Sequence, residues 1–495
     1  MNSINAVVCG WNQITASVIK MLRRHKDVNI IGYWCESPNN QIHADVAGIK
    51  VISGAFKDLI LNQDIQFLFL CDTPVNQRNI FSIVDCLSIG QSTSDKVLKD
   101  IPYVIILPPV SPNYDMDMLE KTRIRVGFAM PLRHLPLSTL LSTHLNYKYK
   151  EIKALSNYEI IRLPTHWLLG NIESIHIRLR TVNFVDGSEY SWLCESEEMG
   201  GGLLNMFCPG LIDLVFFLSG GLQITSVTSI GRISDRGTDG LSHPIRHISA
   251  DDYVTIMGEL EKPPLSGFRK PVVVVILSAD IPFPRNRISS LPEAHFYDNH
   301  CFRLEIEVNG STGSFLIDEG KRRISWTPRK AVSSKSGKLN NKSAHLDCEN
   351  HFHDKRLGNM EEYELEKEYI EDVLASPNGS NVPRTQVPTM LNIDLDEDGI
   401  TEIVHLPLKT FFSTQDSLND SESVESAQHR YLSATGEAWT NWISGLTKHF
   451  SPGWKSFESL SAGPGHWAYI QSVMHAISKS TQLRCWIDVQ TGKRM

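Results

Sequence analysis

Three stretches of this chain carry residues whose types and spacing could do chemistry. The first is Gly10-Trp11-Asn12-Gln13-Ile14-Thr15, a glycine turn leading from an apolar run into a helical one. Glycine has no Cβ, so backbone N–H groups there can close on a phosphate at the positive end of the helix. Asn12 tolerates left-handed backbone and could keep the turn. Glu36 follows about 26 residues after Gly10, near the spacing at which a carboxylate reaches a ribose hydroxyl. The second stretch is Arg133-His134, a cation beside an imidazole that together could exchange a proton with an alcohol. A domain-bridging arginine and a core histidine are the plainer readings. The third reads M-G-G-G-L-L-N-M-F-C-P-G-L-I-D from Met199 to Asp213. Its glycines, Gly200, Gly201 and Gly202, permit close backbone approach, and Leu203, Leu204, Phe207, Leu211, Leu214 and Val215 share one helical face. Asp213 rides on that helix as a ligand contact or a pairing group. Trp192, just upstream, could stack on a ligand ring or simply pack.

Metal-ligating patterns are thinner. The run D-L-D-E-D-G from Asp394 to Gly399 matches the start of a calcium loop. Its twelfth position, however, is His405 instead of glutamate, and Pro383, Pro388 and Pro407 deny it flanking helices. Cys348, His351 and His353 offer three zinc ligands without an evident fourth. No metal is expected.

The elements that must position these residues follow from hydrophobic period. Over residues 1–130, short apolar runs at 5–9, 29–34, 66–71, 103–107 and 125–129 alternate with helical patterns at 15–25, 76–87 and 114–121. Such alternation predicts a parallel sheet covered on both faces, an α/β Rossmann domain with the Gly10 turn after its first strand. Over 131–327 the pattern changes to strands at 174–182, 253–260, 272–279, 302–308 and 314–317, with Asn309-Gly310 as a hairpin turn. An α+β domain with a large, mainly antiparallel open sheet is expected there. Residues 328–428 are rich in Ser, Asn, Lys, Asp and Glu and read as a largely disordered insertion, with a charged helix at 361–374. Residues 429–495 return to the second domain, with helices at 434–446 and 467–478 and a closing strand at 486–489.

Bulk composition excludes several classes. The 495 residues are 41% hydrophobic and 21% charged, an ordinary globular balance. A formal charge of −8 argues against nonspecific nucleic-acid binding. No apolar run approaches the roughly 20 residues of a membrane span. Nine cysteines occur without C-x-x-C spacing, as expected of reduced core thiols. The first residues show no basic segment followed by an apolar one, so a cytoplasmic location is expected. The alternative is secretion, in which case Asn309, Asn341, Asn378 and Asn419 would be glycosylation acceptors.

The combination resembles the Gfo/Idh/MocA oxidoreductases. The carrying residues are the Rossmann half, the segment L-C-D-T-P from Leu70 to Pro74, the segment R-H-L-P from Arg133 to Pro136, and the glycine run. Within that family the chain looks most like the animal glucose-fructose oxidoreductase domain-containing proteins. Y-S-W-L-C from Tyr190 to Cys194, L-I-D-L from Leu211 to Leu214, F-L-S-G from Phe217 to Gly220 and R-H-I-S-A-D-D-Y from Arg246 to Tyr253 carry this likeness. The resemblance implies NAD or NADP held by Gly10, Asn12, Thr15, Glu36, Thr73, Pro74 and Asn76. It also implies a sugar-like pocket near Arg133, Trp192, Gly200, Gly201, Gly202 and Asp213, and a homodimer through the open sheet. The family's lysine, aspartate and histidine correspond here to Pro108, Met206 and Gly210, none of which titrates. Hydride transfer on a sugar-like substrate is therefore expected to be weak or absent. The alternative is a non-catalytic nucleotide- or sugar-binding sensor or scaffold, such as one serving an extracellular matrix.

Overall fold

Continuous apolar runs build the first sheet of the computed structural model. The structure describes residues 4–10, 15, 18–19, 22–23, 25, 28–35, 49, 51–52, 54–62, 64–89, 102–110, 124–145, 163–164, 166–183, 195, 200–233, 249–262, 269–281, 302–329, 393–396, 400–405 and 463–495. Its first six strands are β1 (Ile4–Cys9), β2 (Val28–Trp34), β3 (Val51–Ile52), β4 (Phe67–Leu70), β5 (Tyr103–Ile106) and β6 (Arg125–Phe128). They pair in the order β3-β2-β1-β4-β5-β6, with every neighbour parallel. This is the doubly wound order, in which the strand order reverses between β1 and β4 and leaves a crevice beyond their carboxyl ends. Both β4 and β5 are buried throughout, as strands covered on both faces must be. Two helices of this half are α1 (Phe56–Asn62) and α2 (Pro74–Ile89). The helix expected at 114–121 lies outside the described residues. A 3₁₀ turn (Pro131–His134) and α3 (Pro136–Leu145) lead onward.

The second sheet has ten strands. They are β7 (Ile172–Val182), β8 (Ile224–Arg232), β9 (Tyr253–Leu260), β10 (Val272–Ile281), β11 (Phe302–Gly310), β12 (Gly313–Asp318), β13 (Arg323–Pro328), β14 (Ile393–Leu395), β15 (Glu402–His405) and β16 (Ile487–Asp488). Their order is β14-β15-β13-β12-β11-β7-β10-β9-β8-β16. Every neighbouring pair is antiparallel except β7 and β10. The fold is thus an α/β Rossmann half followed by an α+β half with a large, mainly antiparallel sheet. One face of that sheet, carrying Ile175, Ile177, Leu179, Val254 and Val275, is buried beneath α4 (Leu203–Leu218) and α5 (Pro464–Leu483). The opposite face exposes Ile230, Met257 and Leu316.

Differences from the sequence expectations have local causes. The β11–β12 hairpin turns at 311–312, two residues beyond Asn309, because the Asn309 amide is tied into the sheet. It donates to Ser174 Oγ at 3.2 Å and to Glu307 Oε1 at 2.9 Å. Two strands, β14 and β15, fall within the stretch expected to be an insertion and extend the sheet beyond β13. The expected helices at 361–374 and 434–446 lie outside the described residues.

Candidate functional site

One side of the candidate site is assembled at the carboxyl ends of β1 and β4. Gly10 follows β1 at φ +151°, and its N–H donates to the Trp34 carbonyl at 3.1 Å. A Cβ placed there would lie 2.6 Å from the Cys71 carbonyl oxygen and against Thr15 Oγ1, so no larger residue fits. Thr15 is fully buried, and its hydroxyl donates to the Cys71 carbonyl at 3.2 Å. It props the turn from beneath. After β4, Asp72 Oδ1 accepts the Thr73 N–H at 2.7 Å and the Asn76 side-chain amide at 3.2 Å. Pro74 opens α2, a position that suits its missing N–H. Gln77 was not singled out from sequence, yet it joins two loops. Its amide donates to the Asp72 carbonyl at 2.8 Å and, 30 residues away, to the Leu107 carbonyl at 2.9 Å. Its one local cue was an amide in the first turn of a helix that follows a buried strand. Asn12, Glu36 and Trp192 lie outside the described residues.

The glycine run faces this side directly. At Gly200, φ is +72°, and an added Cβ would meet Pro74 Cγ at 2.7 Å and Pro109 Cβ at 2.9 Å. The run therefore lies against the loops after β4 and β5. Gly201 donates its N–H to the Glu195 carbonyl at 2.8 Å. Gly202 begins α4 at φ +89°, and its vacant Cβ position is 2.8 Å from Asp251 Oδ1. Asp251 supplies the cap that glycine cannot, its Oδ2 accepting the Leu204 N–H at 2.8 Å. Burial pushes the Asp251 carboxyl up to about 6, although the Leu204 N–H pulls the other way.

Along α4, the stripe facing the 3₁₀ turn is Met206, Gly210, Asp213 and Phe217, all buried. A Cβ on Gly210 would sit 3.3 Å from Leu132 Cδ1, so no imidazole fits there without displacing that leucine. Neighbouring Cys208 is fully buried, and burial raises its thiol far out of the ionising range. Pro108, also buried, precedes the proline that touches Gly200. Neither Pro108, Met206 nor Gly210 carries a group able to move a proton.

What charge the stripe retains is concentrated at Asp213. Arg133 Nε donates to Asp213 Oδ2 at 2.8 Å, and its Nη2 bonds Oδ1 in the same fork. His466, at the start of α5, places Nε2 at 2.9 Å from Oδ1. Burial alone would raise the Asp213 carboxyl, but the Arg133 guanidinium and the His466 hydrogen bond outweigh it and hold the group below its ordinary value. The structure thus brings Arg133 and Asp213 together and adds His466, which sequence reading missed. His134 sits half-buried at the end of the 3₁₀ turn. The signal available for His466 was G-P-G-H-W, a helix start with proline in its first turn, but nothing local pointed to a partner 253 positions away.

The remaining candidates resolve simply. Asp394 lies on β14 and Asp396 donates its N–H to the Thr401 carbonyl at 2.9 Å, which makes a β-hairpin. No group of three or more metal-ligating side chains occurs among the described residues. Cys348, His351 and His353 lie outside them. The described cysteines are all free thiols. No described helix is long and apolar enough to cross a membrane.

No protein-family model matches the chain, and no curated protein matches it in sequence. Solved structures do match it in shape. An oxidoreductase domain protein from Kribbella flavida superposes with a TM-score of 0.55 at 11% identity, covering 99% of this chain and 100% of that one. An oxidoreductase from Agrobacterium radiobacter, in complex with NAD+, L-tartaric acid and magnesium, gives 0.54 at 12% identity and covers 99% of each chain. A levoglucosan dehydrogenase in complex with NADH and levoglucosan gives 0.51 at 13%, covering 99% and 100%. At such identities the likeness establishes the fold, which is that of two-domain NAD-binding oxidoreductases.

Proposed function

We propose that the chain is an NAD(P)-binding protein of Gfo/Idh/MocA type in which the usual acid–base set has been lost. Hydride transfer on a sugar-like alcohol is then weak at most. One observation carries the second half of this reading: the α4 stripe is buried under the 3₁₀ turn, with Leu132 against Gly210 and Arg133 locked onto Asp213. The first half rests on the retained crevice, where a cradle too small for any Cβ lies at the strand-order reversal. The dinucleotide would supply the hydride acceptor. Gly10 and Asn12 would hold its pyrophosphate, Glu36 a ribose hydroxyl, and Thr73, Pro74 and Asn76 the nicotinamide half, with Thr15 supporting the turn. Within the family the reading closest to these residues is that of the animal glucose-fructose oxidoreductase domain-containing proteins. The buried stripe also favours a second reading, a sensor or scaffold that binds nucleotide or sugar without turnover.

Titration with NADH and NADPH, followed by nicotinamide fluorescence, tests the first half. Binding in the micromolar to millimolar range is expected, and no binding of either near one millimolar, roughly the upper end of working ligand affinities, would sink it. Gly10→Val should abolish that binding; unchanged affinity would move the phosphate site elsewhere. A homodimer through the open sheet is part of the same reading, supported by Ile230, Met257 and Leu316 on the uncovered face. Sedimentation of Ile230→Lys should show a monomer where the parent shows a dimer.

A further inference from the structure

We propose that proton transfer in this cleft runs through His466, an acid–base group oriented by Asp213. The proposal rests on the dinucleotide reading above and extends it to the proton. Asp213 is held ionised and so can only accept hydrogen bonds. Nε2 of His466 must therefore carry the hydrogen of their 2.9 Å contact, leaving the lone pair on Nδ1. Nδ1 has no hydrogen-bond partner among the described residues. The two side chains differ in access, with 19% of His466 exposed against 0% of Asp213. A buried carboxylate on Nε2 fixes the ring so that Nδ1 is the nitrogen left to accept a proton.

Its location fits the task. Asp213 shares one face of α4 with Met206 and Gly210, and the glycine run of the same helix touches Pro74 and Pro109. Trp467, beside His466, stacks on Phe128 at the carboxyl end of β6, with centroids 4.4 Å apart and planes 11° from parallel. The first turn of α5 therefore reaches the strand ends where the nicotinamide half would lie. The groups facing the imidazole are Asp213 and, through it, Arg133, the Phe216 ring at 4.7 Å, and Tyr469 at 5.8 Å on its own helix. Among the described residues, only Asp213 bonds it. In the forward step an alcohol would give its O–H proton to Nδ1 while its C–H electron pair leaves as hydride to an oxidised nicotinamide. The electron pair of the broken O–H bond becomes the second bond of the carbonyl, and the new imidazolium lies against Asp213.

Two experiments on the full chain test this. In the first, His466 is carbethoxylated with diethyl pyrocarbonate in the presence and absence of saturating NADH, and the modified residue is identified by mass spectrometry. Protection of His466 is expected, and an unchanged rate of labelling overturns its placement in the cleft. In the second, reduction of NAD+ and NADP+ is followed with levoglucosan, glucose and myo-inositol across pH 5–9, for the parent, His466→Gln and His466→Ala. His466→Gln should keep NADH affinity, lose about 10²-fold in kcat and flatten the pH profile. Added imidazole should restore part of the rate to His466→Ala. Equal kcat and equal pH profiles in parent and His466→Gln overturn the proposal, as does a parent that binds NADH yet turns over none of the three alcohols. Failure of either nucleotide to bind is a separate result, and it removes the dinucleotide reading together with what rests on it.

Discussion

The loop after β4 and the middle of α4 are built by different means. In the loop, Asp72 Oδ1 and the side-chain amides of Asn76 and Gln77 bond backbone and one another, which fixes loop geometry. On α4, apolar side chains and one forked ion pair fill the wall itself. The first arrangement keeps a surface in shape for a ligand. The second closes the surface against one, apart from the edge where His466 enters. The two regions answer to different local requirements, satisfied polar groups in the loop and close packing on the helix.

The strongest way to break this contrast is to cut the ion pair. Asp213→Ala leaves the Arg133 guanidinium buried without its anion, and a loss of about 3–5 kcal/mol is expected in denaturant unfolding. Replacing both partners, Arg133→Met with Asp213→Leu, should recover most of that loss, because the cost lies in the orphaned charge. If Asp213→Ala costs less than about 1 kcal/mol, water reaches the pair and the wall is open.

Placing an imidazole on the α4 stripe is the next test. Gly210→His forces a ring into the space of Leu132, and overpacking of this kind costs about 1–3 kcal/mol. Leu132→Ala in the same chain should relieve part of the strain, giving a favourable coupling of at least about 0.5 kcal/mol in a double-mutant cycle. Additive effects would show that the 3₁₀ turn moves aside freely. On the opposite wall, Gln77→Leu removes the donor shared by the Asp72 and Leu107 carbonyls, for about 1–2 kcal/mol. The comparison is sharpened if NADH affinity falls as well, since Gln77 shapes a site without lining it.

How much of this was legible depended on whether a feature is local. The strands of the first sheet are continuous apolar runs, so β1, β2, β4, β5 and β6 could be placed to within a residue or so. The two-residue β3 is too short to show a period. The I-T-S-V-T-S-I-G-R run of β8 hides its inward face because Ser229, though buried, is polar. Its N–H donates to Ser480 Oγ at 2.9 Å and its hydroxyl to the Ile477 carbonyl at 2.8 Å, both on α5. In the site, the glycine run and the types of Pro108, Met206 and Gly210 were readable position by position. The partnership of Arg133 with Asp213 spans 80 residues, and that of Asp213 with His466 spans 253. No periodicity encodes such pairings, because they are set by how helices pack after the chain has folded. The same holds for β15, whose pairing with β13 crosses a long polar stretch, and for β14, which pairs with β15.

The smallest expected effect compares two carboxylates that serve α4, one within it and one capping it. Asp213, within the helix, is held ionised by Arg133 and His466, so its contribution to stability is present above its unfolded value of 3.8 and lost as pH falls through its lower folded value. Asp251, capping the same helix, runs the other way. Its folded value of about 6 lies above 3.8, so its contribution is complete at low pH and lost as pH rises through about 6. Between pH 7 and pH 5 only Asp251 changes state, and the gain on acidification should be about 1 kcal/mol. Asp251→Asn keeps an oxygen to accept the Leu204 N–H but does not titrate. The stability difference between parent and variant should therefore shift by about 1 kcal/mol in favour of the parent from pH 7 to pH 5. A difference that stays constant across that range would mean that water solvates the Asp251 carboxylate, and that the start of α4 is as open to solvent as Asp213 is closed to it.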